Sequence, residues 1–292
     1  MTLTEIIKSM RPPQWIKNLF IFAPLVFSQN IFDLPLLLKN IIAFLAFCLL
    51  SGALYILNDL QDLDEDKLHP LKSKRPIASG RLQKRTAFFS FIIFSLAAFL
   101  IAFALNLSFF IISLVYFSLQ VAYSLWLKHM VIVDVFVVAA GFLIRVVAGG
   151  LAIHVSLSSW LLICTILLSL FLAMSKRRHE IVLLEKNASF HRRILKEYNP
   201  YLLDQMIAVV TASTLIAYCL YTISDETVSK FGTTNLIFTV PFVLYGIFRY
   251  LYLVHQKREG GSPEVLIIRD RPLLVDIFLW IACSVFILYV RW

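Results

Sequence analysis

The sequence predicts an all-α polytopic membrane protein, a bundle of nine transmembrane helices with loops that cap its cytoplasmic side. Of the 292 residues, 60% are hydrophobic and the mean hydropathy is +0.81, whereas soluble domains are about half apolar. In lipid, only helical bundles and closed barrels pair all backbone groups. The apolar run 88–105, "FFSFIIFSLAAFLIAFAL", lacks the alternation of a barrel strand. We therefore expect one helical transmembrane domain over residues 1–292.

Nine stretches have the length and composition of membrane spans. In chain order they lie near residues 15–29, 40–59, 87–105, 107–127, 131–153, 158–175, 206–224, 234–255 and 273–291. The first is short and is interrupted by Pro24. The four cysteines lie singly within apolar runs and form no CxxC pair, so the sequence predicts neither a disulfide framework nor a zinc site.

Positive charge is concentrated on one side of the predicted bundle. With the N-terminus inside, the outer connections carry three cations, namely Lys39, Lys230 and Arg291. This asymmetry predicts a multi-pass protein of the cell inner (plasma) membrane whose N-terminus and charged loops are cytoplasmic. The net charge of +9 then requires no nucleic acid partner. Two cytoplasmic loops, 60–86 and 176–205, are longer than a connection needs and suggest an active-site cap or a docking surface.

A cluster of five acids follows the second span, in the stretch "NDLQDLDED" that begins at Asn58. If the helix continues, three of them fall at positions i, i+3 and i+7 and share one face: Asp59, Asp62 and Asp66. The other two, Asp64 and Glu65, point elsewhere. Clustered carboxylates at a membrane boundary suit Mg²⁺, with the three aligned aspartates as ligands and Asn58 assisting. The alternative is a solvated helix end whose acids pair with the lysines that follow.

Basic residues come directly after the acids, in "HPLKSKRPIASG" (69–80). Lys72 offers a point charge and Arg75 a bidentate fork to a phosphate group. Metal-binding acids beside phosphate-binding cations are what the departure of a diphosphate requires. This stretch therefore favours an enzyme over a solvated helix end.

Further ionisable residues lie in or beside the spans. Arg145 is deep within the fifth span, where a cation favours a phosphate or carboxylate partner in a cavity. Asp134 precedes it by eleven positions and shares its helix face. Lys128 closes the fourth span and is a candidate phosphate ligand. Lys17 is another, although an interfacial anchor explains it equally well.

The pair NDxxDxxxD and HPxKxxRPI resembles the first signature of the UbiA superfamily of intramembrane prenyltransferases, which are nine-helix bundles. Within that superfamily the chain resembles the decaprenyl-phosphate phosphoribosyltransferase family over nearly its whole length. The similarity rests on residues 11–25, 123–150, 175–180, 191–206 and 239–255. Ordinary prenyltransferases carry a second aspartate-rich motif after the sixth span. Here "SKRRHE" stands in that place, and its Lys176 and Arg177 either hold a further phosphate or flank the membrane.

The resemblance implies Mg²⁺-dependent transfer of 5-phosphoribosyl from phosphoribosyl diphosphate to a polyprenyl (decaprenyl-type) phosphate, with release of diphosphate. The metal would lie on the three aligned aspartates, and the basic candidates would hold phosphates. A phosphate nucleophile is already ionised, so no general base is needed. Two alternatives stay open: prenyl transfer from a prenyl diphosphate to an aromatic acceptor, and a transporter without enzymatic activity. Acids at one end of a span, rather than at the midplane, make the transporter the weaker alternative.

Overall fold

The chain is mostly helical in the part that its computed structural model describes, namely residues 2–68, 72–184, 197–257, 266–267 and 269–289. Within these ranges there is no β-strand. Eight helices are long and apolar enough to cross a membrane. The prediction of an all-α, multi-pass membrane protein is thus confirmed.

Twelve α-helices are labelled here in chain order. They are α1 Thr2–Ser9, α2 Ala23–Phe27, α3 Leu34–Gln61, α4 Leu63–Leu68, α5 Lys84–Leu105, α6 Leu107–Leu125, α7 Val133–Ile153, α8 Ser159–Leu184, α9 Pro200–Ile223, α10 Asp225–Phe231, α11 Val240–His255 and α12 Arg271–Tyr289. Short polar side chains cap the N-termini of several of the long helices. The Asp33 carboxylate accepts a hydrogen bond from the N–H of Leu36 at 3.0 Å and caps α3. The Asn106 side chain does the same for α6 through the N–H of Phe109, at 2.7 Å.

The first predicted span, near 15–29, is not a membrane-length helix. It consists of a 3₁₀ helix over Pro12–Phe22, called the proline segment below, followed by the short helix α2. The adjacent Pro12 and Pro13 lack N–H donors, and Pro24 removes another, so a regular ladder of i→i−4 hydrogen bonds does not form across this stretch. The count of nine spans is therefore approximate, and the described residues supply eight.

Two compact units divide the chain, Met1–Leu157 and Ser158–Trp292. In the first unit, α3 packs against α5, α7 and the proline segment. Phe47 lies at the centre of its apolar core, fully buried, with its ring 5.7 Å from Phe109 and 5.1 Å from Tyr116. A single domain over residues 1–292 stays a prediction.

The second unit is held together by α8 against α9 and by α11 against α12. A chain of hydrogen bonds joins its elements, since Trp280 Nε1 donates to Tyr218 Oη at 2.8 Å and that hydroxyl lies 2.6 Å from Thr239 Oγ1. The ring of Phe171 meets Tyr250 edge to face at 5.2 Å.

The predicted loop at 176–205 is shorter than expected, because α8 runs on to Leu184 and α9 starts at Pro200. Lys176 and Arg177 are thus helical and do not lie in a loop. Helix-favouring residues explain the extension, together with an ion pair at i, i+3 from Arg177 to Glu180 at 2.6 Å. Residues 185–196 lie outside the described part of the chain. The other predicted loop, 60–86, contains α4 and a 3₁₀ turn over Lys72–Lys74.

Candidate active site

The acidic cluster lies where α3 ends. The predicted shared face of the three aspartates assumes that the helix continues through the cluster, and the helix does not. It ends at Gln61, and Asp62 departs from helical geometry with φ −85° and ψ 10°. The turn is nevertheless kept, because the N–H of Asp62 donates to Asn58 O at 2.9 Å and the N–H of Asp66 donates to Asp62 O at 2.8 Å. The three aspartates therefore stay close together, although Asp59 is in α3, Asp66 is in α4 and Asp62 lies between the two helices.

Burial separates the five acids into two sets. Asp59, Asp62 and Asp66 are only 2%, 8% and 1% exposed. Asp64 and Glu65 are exposed, and Asp64 lies 3.7 Å from Lys67 on the surface. The prediction that these two acids point away is confirmed. A solvated helix end does not describe the other three, since water scarcely reaches them.

Two of the three buried carboxylates share one arginine as their cationic partner. Arg75 Nη1 lies 3.1 Å from Asp59 Oδ1 and 2.5 Å from Asp66 Oδ2. Arg11 Nη2 donates a further hydrogen bond to Asp59 Oδ1. Lys72 Nζ stands 4.0 Å from Asp66 Oδ1. Lys72 and Arg75, both predicted as phosphate ligands, are therefore at the acidic cluster.

The third carboxylate has a partner of its own. Lys128 Nζ lies 2.5 Å from Asp62 Oδ1, and both side chains are buried. Asn58 Nδ2 donates to Asp62 Oδ2 at 3.0 Å, and Ser124 Oγ donates to Asn58 Oδ1 at 3.4 Å. Lys128 belongs to a 3₁₀ turn after α6, so this contact joins the ends of two spans. The structure thus brings both Asn58 and Lys128 to the predicted site.

The residues present fit a divalent cation shared by Asp59 and Asp66. One cationic nitrogen, Arg75 Nη1, already contacts both carboxylates. Asp66 Oδ1 is buried and has no hydrogen-bond partner among the described residues. Across those residues no three acid, histidine or cysteine side chains converge on one point as metal ligands, and Asp62 is paired with Lys128. Mg²⁺ is usually held by one or two carboxylates plus substrate phosphates, and the roles of Asp59, Asp62 and Asp66 as its ligands stay predictions.

Two of the remaining candidates lie on α7. Asp134 is fully buried in the first turn of the helix. Arg145 is 5% exposed and is about 16 Å further along the axis. We expected a phosphate or carboxylate partner for Arg145. Its three hydrogen bonds go instead to Asn18, Gly141 and Tyr116, and none of the ion pairs within the described residues includes it.

Three basic candidates remain. Lys17 is half-buried in the proline segment of the first unit. Lys176 is half-buried and Arg177 is buried on α8, in the second unit. Their roles as phosphate ligands stay predictions.

Arg11 was not among the residues predicted for the site. It precedes Pro12 in a left-handed conformation, with φ 53° and ψ 64°, which directs the chain so that its guanidinium reaches Asp59. The same guanidinium lies 4.9 Å above the ring of Tyr55. The sequence feature that could have pointed to Arg11 is its place beside two prolines, since prolines fix the local backbone.

Comparison with known proteins identifies the family. The model of the UbiA prenyltransferase family matches residues 19–281. Decaprenyl-phosphate phosphoribosyltransferase from Corynebacterium glutamicum is 34% identical over 296 residues, covering 97% of this chain and 86% of that protein. Its namesake from Mycolicibacterium smegmatis is 32% identical over 290 residues, covering 96% of this chain and 91% of that protein.

Solved structures agree on the fold. A UbiA homolog from Archaeoglobus fulgidus, bound to GPP and Mg²⁺, matches with a TM-score of 0.72 and 18% identity, covering 98% of this chain and all (100%) of the other. The same homolog bound to DMAPP and Mg²⁺ gives a TM-score of 0.73. The resemblance that the acidic signature predicted is confirmed by these independent matches. The chain is an enzyme that belongs to the UbiA prenyltransferase family.

Proposed function

We propose that the enzyme transfers 5-phosphoribosyl from phosphoribosyl diphosphate to a polyprenyl phosphate of the decaprenyl type and releases diphosphate. The observation that carries this is the cluster of three buried aspartates, each paired with a cation, at one end of α3. Supporting it, relatives that match nearly the whole chain are named decaprenyl-phosphate phosphoribosyltransferase. The basic stretch "SKRRHE" at 175–180 is also better suited to bind an additional phosphate of the substrate than to bind a second metal ion.

The paired cations suggest how the donor would enter. Arg11, Arg75 and Lys128 are held by carboxylates in this conformation. A donor diphosphate would take over their hydrogen bonds, and Asp59, Asp62 and Asp66 would then be available to Mg²⁺. When bound, Mg²⁺ would neutralise charge on the departing oxygens. The exchange replaces a buried carboxylate by a phosphate on the same cation, so no buried charge is left unpaired.

The reaction needs little from the protein besides positioning and charge. The bond from the anomeric carbon to the diphosphate oxygen breaks, and the diphosphate leaves with the electron pair. An oxygen of the polyprenyl phosphate forms the new bond to that carbon. Because this oxygen is ionised at neutral pH, no general base is required. Arg11, Arg75 and Lys128 stabilise the charge that develops on the leaving group.

The location of the site would follow from the same chemistry. Phosphoribosyl diphosphate is highly charged and water-soluble, so the end of α3 that carries the acids would face the cytoplasm. The positive charge around this end of the bundle supports that orientation in the inner membrane. The polyprenyl tail would lie in the apolar part of the bundle.

The test combines the purified protein with Mg²⁺, phosphoribosyl diphosphate and a polyprenyl phosphate. We expect phosphoribosyl lipid and diphosphate in equal amounts. The second candidate is prenyl transfer, because the similar Archaeoglobus fulgidus structures contain GPP or DMAPP. Consumption of a prenyl diphosphate with an aromatic acceptor, without formation of phosphoribosyl lipid, would establish that reaction instead. Full turnover in both Asp59→Asn and Asp62→Asn would contradict the proposed roles of these acids.

A further inference from the structure

We propose that Arg145 and Asn18 form a buried polar clamp that fixes the proline segment and thereby positions Arg11 against Asp59. Arg145 is then a positioning residue rather than a phosphate ligand. The effect on turnover rests on the proposed function, whereas the clamp itself is tested independently of it.

The backbone of the proline segment requires such support. It is an 11-residue 3₁₀ helix without a side-chain cap at its start. Runs of 3₁₀ helix beyond about four residues are uncommon, because their hydrogen bonds are poorly aligned. A segment of this kind is therefore held by contacts with its neighbours more than by its own backbone.

Asn18 supplies polar contacts on both sides of the segment. It is fully buried. Its Nδ2 donates to Ser51 Oγ at 3.2 Å and to Cys48 Sγ at 3.3 Å, both on α3. Its Oδ1 accepts from Arg145 Nε on α7 at 2.8 Å. One amide thus connects the proline segment to two membrane spans, and none of its polar atoms is left without a partner.

Arg145 is held in turn by uncharged groups. Its Nη1 donates to Gly141 O and its Nη2 to Tyr116 Oη, each at 2.8 Å. The rings of Tyr116 and Phe142 lie 4.9 Å and 5.6 Å from the guanidinium carbon. These contacts stabilise a buried cation without a carboxylate. Lysine could not reproduce them, because it lacks the planar fork of donors.

The backbones also meet closely at this point. A Cβ atom added to Gly149 would stand 2.0 Å from the carbonyl oxygen of Ile21, which is in the proline segment. Only glycine permits that approach of α7, because any side chain at this position would collide with the backbone of the proline segment.

The clamp connects to the active site through the start of the segment. Arg11 immediately precedes Pro12, about 14 Å from Asn18 along a 3₁₀ axis. Its side chain pairs with Asp59 and covers the ring of Tyr55. Because the intervening backbone is restricted by two prolines, a shift at Asn18 moves Arg11 relative to Asp59.

A double-mutant cycle tests this connection. Arg145→Lys should lower kcat/KM about tenfold in the wild-type background, but by less than about twofold when Arg11→Ala is already present. The control is the same substitution at another arginine, Arg249→Lys, which breaks a two-hydrogen-bond ion pair with Asp270 in the second unit. Its effect should be the same in both backgrounds. Equal losses from Arg145→Lys in the two backgrounds would overturn the role through Arg11.

Amide hydrogen exchange provides the readout that does not need turnover. Peptides covering residues 12–22 should exchange faster in Arg145→Lys than in the wild type, and should be unchanged in Arg249→Lys. Unchanged exchange in Arg145→Lys would overturn the clamp. If the wild type does not use phosphoribosyl diphosphate, the proposed function fails while the exchange comparison still decides on the clamp.

Discussion

Replacing Lys128 with methionine removes the cation from an ion pair whose two side chains are only 8% and 9% exposed. Asp62 would keep Asn58 as a hydrogen-bond donor at 3.0 Å but would lose its 2.5 Å contact to a full positive charge. Breaking one side of a buried pair costs about 3–5 kcal/mol, because the remaining charge is uncompensated. Such a loss lowers Tm by roughly 10 °C in a chain of this size.

The second substitution that tests this reasoning is Asp62→Asn in the same chain. With both charges gone, the desolvation cost disappears as well, and the asparagine can keep the contact to Asn58. The double variant should therefore recover most of the lost Tm, measured by thermal unfolding of the purified protein in detergent. A double variant as unstable as Lys128→Met would refute the view that an uncompensated Asp62 charge causes the loss. Activity is not the readout, since both residues belong to the proposed site.

Three further predictions concern the acids. Asp59→Asn should reduce turnover at least about a hundredfold, whereas the exposed control Asp64→Asn should stay within about twofold; equal losses would contradict the division between buried and exposed acids. Chelating Mg²⁺ should abolish turnover, and Asp66→Asn should raise the Mg²⁺ concentration for half-maximal rate at least about tenfold; an unchanged requirement would exclude Asp66 as a ligand. Outside the spans, a hydrogen bond from Arg249 holds the pKa of Asp270 below its usual value. This stabilisation is present above about pH 4 and is lost as the pH falls through the lowered pKa, so acid should lower Tm less in Asp270→Asn; an identical acid profile would contradict it.

The acidic cluster shows what the spacing of one helix predicts. Positions i, i+3 and i+7 correctly separated the buried Asp59, Asp62 and Asp66 from the two exposed acids. Spacing could not predict which cations would face them. Arg11 and Lys128 are 48 and 66 positions from their partners in sequence, and such contacts depend on how whole spans pack.

The first predicted span is not one continuous α-helix, for a local reason that hydropathy does not measure. Residues 15–29 are apolar enough to be counted as a span, but prolines at 12, 13 and 24 prevent a continuous α-helix. Hydropathy likewise placed Lys176 and Arg177 beyond the membrane and therefore in a loop. The helix in fact continues through them to Leu184, because helix propensity and the pair from Arg177 to Glu180 favour it.

Arg145 illustrates a different limit. Its depth within a span correctly indicated a buried cation that requires partners. The choice between a substrate phosphate and protein acceptors depends on Asn18 and Tyr116, which are 127 and 29 positions away. Sequence spacing alone carries no information on either contact.

The most direct test of the proposed reaction follows two phosphorus labels in phosphoribosyl diphosphate. The purified enzyme, with Mg²⁺ and a polyprenyl phosphate, receives the donor labelled either in the 5-phosphate or in the diphosphate. We predict that the 5-phosphate label enters the lipid fraction while the diphosphate label stays in water as free diphosphate. Both labels remaining in intact, water-soluble donor, while a prenyl diphosphate is consumed in a parallel reaction, would contradict phosphoribosyl transfer and assign the buried aspartates to a prenyl donor.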